Sequence, residues 1–305
     1  NPVTADVTVH GAAGPIADAS VEPVPPGARV SLLLDARAGE ESVLAVHVRA
    51  GGGGIQATLT DTWIEGSTAL GAETTAAAAE PSELQVVPGA VFGGGPTAVR
   101  VVAPGDQDAV VRVSVLGPEG LVPTAGDSVR SVAAGGVSQI EVQGVPAGTY
   151  SVVLRADVPV VASVLSRAVD EGAPGEFAWA ASVEGVPSTV TDGQTPPLVA
   201  AAFVPDADVD RTLHLVSIGG NGTVEVFTVV DGTSVSRRVD LLGDRLVTVD
   251  LAGASSVWVR PVTGSGAVHG SVLSGVGEGP ARMIAVAPLA ESVVTSAGSR
   301  AFPLP

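Results

Sequence analysis

The sequence contains no cysteine and no lysine, and aromatic residues make up only 3% of its 305 residues. Without cysteine, the chain cannot form disulfides, zinc–thiolate sites or iron–sulfur clusters, and it has no cysteine nucleophile. Its 32 acidic residues outnumber 15 arginines and give a formal net charge of −17. Because phosphate groups and anionic lipids attract basic patches, we expect neither nucleic acid nor an anionic membrane surface as a partner.

Long apolar runs are also missing. No stretch approaches the roughly 18 apolar residues of a membrane-spanning helix, and the run at 198–204 (LVAAAFV) has only the length of a strand. We therefore expect no transmembrane segment in this chain. The 39 glycines and 23 prolines leave few segments that could sustain a long helix. Hydrophobic residues still make up 45% of the chain, which is too apolar for a disordered protein.

Short valine-rich runs, separated by glycine, proline and aspartate, fill much of the sequence. Residues 97–105 (TAVRVVAPG) and 109–116 (AVVRVSVL) are two such runs, and 139–143 and 149–155 continue the series. Apolar and polar residues alternate along each run, which is typical of a strand with one buried face. The sequence therefore predicts an all-β protein.

An internal repeat organises these runs. The segments at 5–16, 109–120 and 222–233 each combine a strand with a tight turn, and similar series of strands follow them. Those series begin with VSLLL at 30–34 in the first copy, SQIEV at 138–142 in the second and LVTVD at 246–250 in the third. The closing strands align at Ala57, Ala162 and Gly270, which are 105 and 108 residues apart. A unit of this size is one ordinary β domain.

The repeat predicts three tandem immunoglobulin-like β-sandwich units, at 1–83, 84–196 and 197–305. The first unit lacks its first strand, because the runs at 97–105 and 212–220 have no counterpart before residue 5. Either the chain begins inside a unit, which we favour, or its C-terminal tail completes the first unit, as in closed repeat architectures. A β-propeller-like closed repeat is the alternative fold, with two four-stranded blades per unit. We prefer sandwiches because the two halves of a unit do not resemble each other.

The repeat also reassigns an alanine-rich segment. Residues 74–80 favour a helix by composition alone, but their counterparts at 176–183 and 282–289 alternate like strands. We therefore predict a strand in all three units. An apolar segment follows each one, at 84–92, at 198–205 and, more loosely, at 300–305.

No catalytic, cofactor-binding or metal-binding residue is predicted. The four histidines, His10, His47, His214 and His269, each fall inside a predicted strand and form no HExxH pair, so we expect isolated, partly buried rings. No GxSxG elbow is present. The acidic residues lie mostly in turns, where they stay solvated, and the glycine runs lead into strands instead of helices.

One acidic loop has the spacing of a calcium site. Asp206, Asp208 and Asp210 alternate, but Arg211 and Ser217 stand where an EF-hand needs glycine and glutamate. We expect a solvated loop there and keep calcium binding as an open hypothesis.

Aromatic residues are the remaining candidates, since exposed rings bind sugars. Phe177 and Trp179 share one face of a strand, which is typical of a core. Tyr150 and Trp258 are 108 residues apart and are predicted to occupy equivalent positions. We favour buried anchors over a sugar platform for this pair. The exposure of Trp63 stays open.

The segments GDQDA, VRVSVLGPEG, VPAGTYSVVLRADVPVVASVLSR and GEFAWA carry a family resemblance. The chain resembles an uncharacterised secreted protein family of actinobacteria, one of the domains of unknown function, most clearly over about 84–183. The resemblance implies an exported or membrane-tethered cell-envelope protein of tandem β domains, often encoded beside a large glycosyltransferase. It supplies no catalytic residues.

Three functional hypotheses follow. We expect a non-catalytic, extracytoplasmic structural or interaction protein of the cell envelope, with other envelope proteins or glycans as partners. The second hypothesis is a glycan-binding accessory module for envelope polysaccharide assembly. The third is an unrecognised hydrolase, which would need a cluster of Asp, Glu or His in one cleft.

Overall fold

The protein is all-β, as the alternating runs predict. The computed structural model describes residues 3–16, 20–39, 41–51, 54–126, 128–168, 175–187, 198–203, 208–264, 266–277 and 283–291. These residues form 24 strands and one short helix, α1 (Asp35–Ala38). Within these ranges the strands form several separate sheets, and no closed barrel or propeller is present. The described part of the chain also contains no helix whose length and apolarity would allow it to span a bilayer.

The first unit contains one four-stranded sheet and a separate hairpin. Its strands are β1 (Val3–Gly11), β2 (Gly14–Pro15), β3 (Ser20–Val24), β4 (Ala45–Gly51), β5 (Thr58–Glu65) and β6 (Thr68–Ala76). Antiparallel pairs join β1 to β2, β3 and β4. β5 and β6 pair with each other. Alternate residues of β1 are buried, so one face of this sheet is covered by protein.

The second unit is a two-sheet sandwich. Its strands are β7 (Ser82–Phe92), β8 (Thr97–Val102), β9 (Ala109–Gly117), β10 (Gly120–Val122), β11 (Val129–Val132), β12 (Val137–Glu141), β13 (Gly148–Ala168) and β14 (Glu176–Ala181). β13 is 21 residues long and serves both sheets. Its first half pairs with β7 and β9, and its second half pairs with β8 and β14. Valines from both sheets, such as Val99, Val113 and Val164, form one core.

The third unit is also a two-sheet sandwich, and it includes β15, which falls inside the range predicted for the second unit but pairs with β22. Its strands are β15 (Val186–Pro187), β16 (Val199–Ala202), β17 (Asp210–Ile218), β18 (Gly222–Val230), β19 (Thr233–Leu241), β20 (Leu246–Asp250), β21 (Ala254–Gly264), β22 (Ala267–Val276), β23 (Met283–Pro288) and β24 (Ala290–Glu291). One sheet contains β15, β23, β22, β17 and β20, and the other has the order β19, β18, β21, β16, β24. Residues of both sheets, among them Leu213 and Val259, pack into one core.

Strand pairing repeats from unit to unit. β1 pairs with β2, β3 and β4 as β9 pairs with β10, β11 and the first half of β13. The closing hairpin keeps its register in the first two units, where Thr58 faces Ala76 and Ser163 faces Ala181. In the third unit Ser271 faces Pro288, so the connection is one residue shorter. The repeat therefore governs which strands pair as well as where the turns fall.

Two predicted strands differ from the structure. The run VSLLL at 30–34 forms no strand, although it is apolar and has a counterpart in β12. In the second unit β12 pairs with β8. No counterpart of β8 exists among the described residues of the first unit, so the run has nothing to pair with. The predicted strand at 74–80 ends at Ala76. The apolar segment at 300–305 lies outside the described residues.

Two buried joints connect the units. In the first joint, Leu165, Phe177 and Trp179 of the second unit pack with Trp63 of the first. In the second joint, aliphatic residues of β7, β9 and β13 pack against β17 of the third unit. The second joint consists of Leu84, Val86, Leu116, Val153, Val216 and Ile218.

Candidate functional site

The densest group of chemically active side chains lies at the first joint, and Asp61 is its centre. Asp61 and Trp63 are two residues apart on β5 and so share one face of the strand. Asp61 Oδ2 accepts hydrogen bonds from Trp63 Nε1 at 2.9 Å and from Trp179 Nε1, on β14, at 3.0 Å. One carboxylate oxygen therefore binds both indoles across the joint.

Two arginines cover the indole rings. The guanidinium carbon of Arg100 lies 4.5 Å from the ring centroid of Trp179, and that of Arg167 lies 5.1 Å from the ring of Trp63. Both distances are typical of cation–π contacts. Arg100 also donates to Leu44 O at 3.2 Å and to Gln139 Oε1 at 2.8 Å. Burial lowers the pKa of Arg100, while the charge of Asp61 opposes that shift. Arginine stays protonated at neutral pH, so this site holds a fixed positive charge.

Glu73 and Glu176 are two further carboxyl groups at this joint. Glu73 faces Asp61 in the register of β5 and β6. Burial raises the pKa of Glu73 to about 7, the hydrogen bond from Thr74 N opposes this, and the like charge of Glu176 adds to it. Gly71 allows β6 to pack closely against β14, because a Cβ at this position would lie 2.8 Å from Glu176 Oε1. Its φ of +117° also favours glycine.

This arrangement suits a joint better than an open binding site. Both indole N–H groups are already bonded to Asp61, and the rings contact arginines and Phe177, whose centroid lies 4.9 Å from that of Trp63. A sugar would need free donors and an open ring face. A glycosidase pair would also need space for a substrate between its carboxyl groups. A shallow cavity of about 200 Å³ lies elsewhere, lined by Pro96, Thr97, Glu141, Val142 and Gln143.

The histidines lie in strands as predicted, but neighbouring strands bring two of them together. The rings of His10 and His47 are 6.5 Å apart, and the ring of His10 pairs with Gly135 O of the second unit through Nδ1 at 2.7 Å. His214 and His269 lie on the adjacent strands β17 and β22. Burial lowers the pKa of His214 to about 4. Burial also lowers the pKa of His269, while a hydrogen bond from its Nδ1 to Val183 O, at 3.0 Å, opposes this shift.

No metal site appears in the described part of the chain, where no three histidine or carboxylate groups converge. The calcium hypothesis falls partly outside this part, because Asp206 is not described. Asp208 and Asp210 are both exposed, and Asp210 begins β17. The hypothesis therefore stays open.

Tyr150 and Trp258 do not occupy equivalent positions, so that prediction is wrong. Tyr150 packs against the second core and meets Phe92 edge to face at 5.5 Å. Trp258 lies between the core residues Val257 and Val259, so its side chain points to the opposite face of β21 and is partly exposed. The physical reason is that β13 runs unbroken from one sheet to the other, whereas the same path in the third unit is divided into β21 and β22. The offset of 108 residues between the closing strands therefore does not hold for β21.

Phe177 and Trp179 are buried, as their alternation predicts, but they pack at the first joint instead of inside the second core. The sequence analysis missed Asp61, Arg100, Arg167 and Glu73. The available signal was the spacing of Asp61 and Trp63, because an acid and an indole two residues apart share a face of a strand. The predicted strand ended before Trp63, whereas β5 extends to Glu65.

The chain belongs to a family of unknown function, DUF5719, whose family model matches residues 1–252. No curated protein sequence matches the chain.

Proposed function

We propose that this member of a family of unknown function is a non-catalytic structural or interaction protein of the cell envelope, exported from the cytoplasm. The observation that carries the proposal is the second joint, where Val86, Leu116 and Val153 of one unit are buried against Val216 and Ile218 of the next. Units joined by flexible linkers move independently, whereas a buried apolar interface holds them in one orientation.

The first joint supports the same role by different means. Asp61 holds an indole from each side, and Arg100 bridges from β8 to the main chain of the first unit. Three units in fixed relation make a spacer, and the strongly acidic composition keeps its surface solvated. Export and the envelope location rest on the resemblance to secreted actinobacterial proteins.

Distance measurements between the units test the proposal. The chain has no cysteine, so single cysteines can be introduced at the exposed positions Val21, Leu121 and Val235 and spin-labelled in pairs. We expect narrow distance distributions for both joints. The variant Val153→Asp should broaden only the distribution between the second and third units. Broad distributions in the unmodified protein would contradict a spacer.

Catalysis and location need their own measurements. Incubation of the protein with envelope polysaccharides and peptidoglycan should produce no cleavage of these polymers. Turnover that a single substitution abolishes would refute the non-catalytic role. Cell fractionation of the native producer should place the protein outside the cytoplasm.

A second candidate function is glycan binding in envelope polysaccharide assembly. It is favoured by the partly exposed face of β18 and β21, where Trp258 faces Phe227 and Arg260 pairs with Glu225. Aromatic rings beside charged groups are a common sugar-binding surface. A glycan array should then give signals that Trp258→Ala removes and Tyr150→Phe keeps. If no glycan on the array binds the protein, glycan binding is refuted and only the structural role remains proposed.

A further inference from the structure

Two arginines of the second unit face each other across neighbouring strands. Arg112 on β9 is the direct partner of Arg155 on β13, so their Cβ atoms lie about 4.5–5.5 Å apart. Both residues are exposed. The row continues with an apolar residue on each side, Val129 on β11 and Leu84 on β7. This row therefore holds two positive charges and no negative charge.

Neither guanidinium has a partner in the described part of the chain. Arg112 and Arg155 form no ion pair, side-chain hydrogen bond or ring contact with a described residue. Asp157 is the nearest acidic residue along β13, but its Oδ1 accepts a hydrogen bond from Val110 N at 2.7 Å. Carboxylates neutralise other arginines of this acidic protein, in the pairs Arg37–Glu22, Arg245–Glu119 and Arg260–Glu225.

The other two units carry different residues at the same position of the repeat. Arg112 is the fourth residue of its repeat segment, and Glu225 is the fourth residue of the corresponding segment in the third unit. Glu225 faces Arg260 and forms an ion pair with it. In the first unit Thr8 faces His47. Of the three units, the second alone places two fixed positive charges opposite each other.

Such a pair calls for an anion with several oxygens. Like charges directly opposite each other destabilise a sheet, and an anion bound between them removes the repulsion. Each guanidinium offers a planar fork of N–H donors. One fork engages both oxygens of a carboxylate, whereas a phosphate group has enough oxygens to accept from two forks at once. The chemistry of the pair therefore favours phosphate.

We propose that Arg112 and Arg155 together bind one phosphate group of a soluble ligand, on the outer face of the β9–β13 pair. Their fixed charges attract the group, and hydrogen bonds from both guanidiniums orient it. The net charge of −17 repels an extended polyanion or an anionic membrane, so the site fits a ligand with isolated phosphate groups, such as a sugar phosphate. The inference goes beyond the roles proposed above and does not depend on them.

Titration with inorganic phosphate tests the inference. Sodium phosphate is added to the whole isotope-labelled protein at constant ionic strength, while NMR follows the amide signals of β9 and β13 and the arginine Nε–H signals. We expect saturable shifts at Arg112 and Arg155 with a Kd of about 1–10 mM. Sodium acetate should bind about tenfold more weakly, because a carboxylate cannot accept from both forks.

Variants of the protein locate the site. Arg112→Glu copies the ion pair of the third unit, so it should abolish phosphate binding and raise the temperature of unfolding in the absence of phosphate. Arg155→Gln should weaken binding about tenfold or more. Arg238→Gln is the matched control, because Arg238 is an exposed strand arginine of the third unit. It should leave the Kd unchanged.

Three results would overturn the inference: no saturable shift at about 50 mM phosphate, equal phosphate binding by Arg112→Glu and the unmodified protein, or equal affinities for phosphate and acetate. Phosphatidylglycerol vesicles test the source of the phosphate, and the protein should not sediment with them. Sedimentation that Arg112→Glu abolishes would replace the soluble ligand with a lipid headgroup. None of these results bears on the rigidity of the joints, so the spacer proposal stands or falls separately.

Discussion

The two joints use the same side of the repeat but different chemistry. The first joint uses the outer face of the second unit's sheet that contains β8. The second joint uses the outer face of the equivalent sheet of the third unit, which contains β17. The first joint is polar, with Asp61 bonded to two indoles beside two arginines. The second is mainly aliphatic, although Ser271 Oγ donates a buried hydrogen bond to Pro88 O and His269 Nδ1 donates one to Val183 O between the same two units. Hydrophobic contact supplies energy without direction, whereas the hydrogen bonds fix one geometry. One β framework thus accepts either kind of joint.

The largest expected effect comes from truncating the aliphatic joint. Leu116→Ala should lower the free energy of unfolding by about 3 kcal/mol, because it leaves a cavity between β9 and β17. Leu121→Ala is the matched control. Leu121 faces Leu116 in the β9–β10 pair but is 71% exposed, against 5% for Leu116. We expect it to cost less than about 0.5 kcal/mol.

Urea denaturation measures both changes. Equal losses for the two leucines would show that the second joint contributes little to stability. The polar first joint would then contribute more to the free energy of unfolding than the aliphatic second joint.

Removing the shared acceptor should weaken the polar joint by less. Asp61→Ala leaves both indole N–H groups without their partner, which should cost about 2 kcal/mol. Asp61→Asn keeps an acceptor oxygen and should recover part of the loss. Asp106→Ala, in an exposed turn, is the control. In NMR spectra, the indole N–H signals of Trp63 and Trp179 should move in Asp61→Ala while that of Trp258 stays.

Those indole signals separate the polar contact from a general loss of stability. If only one indole signal moves, Asp61 does not bridge the two units, and the first joint depends on packing like the second.

The sequence could predict the strands but not the joints. Alternation identified β9 and β13, and the spacing of Ala57 and Ala162 agrees with the register of the closing hairpins. Asp61 and Trp179 are 118 residues apart, and no local pattern indicates such a contact. VSLLL at 30–34 has the composition of a strand, but a strand also needs a neighbour, which composition does not report.

A change in pH should alter the stability of the two joints in opposite directions. His214 lies on the same face of β17 as Val216, opposite Thr248 and Ser271, and its pKa is lowered from 6.5 to about 4. Below pH 6.5, His214 is therefore protonated in the unfolded chain, whereas in the folded chain it stays neutral until the pH approaches 4. Stability of the second joint should fall by about 1 kcal/mol between pH 6.5 and 5.5. Glu73 has the opposite shift, from 4.5 to about 7, so the first joint should gain stability as pH falls through this range.

Native-state amide exchange at several pH values, corrected for intrinsic rates, reads the two joints separately through β17 and β5. His214→Leu should flatten the response of β17, and Glu73→Gln should flatten that of β5. If both joints weaken together on acidification, a global transition governs them instead. If they diverge, each joint responds to its own buried group, and the difference in chemistry between them becomes a difference in behaviour.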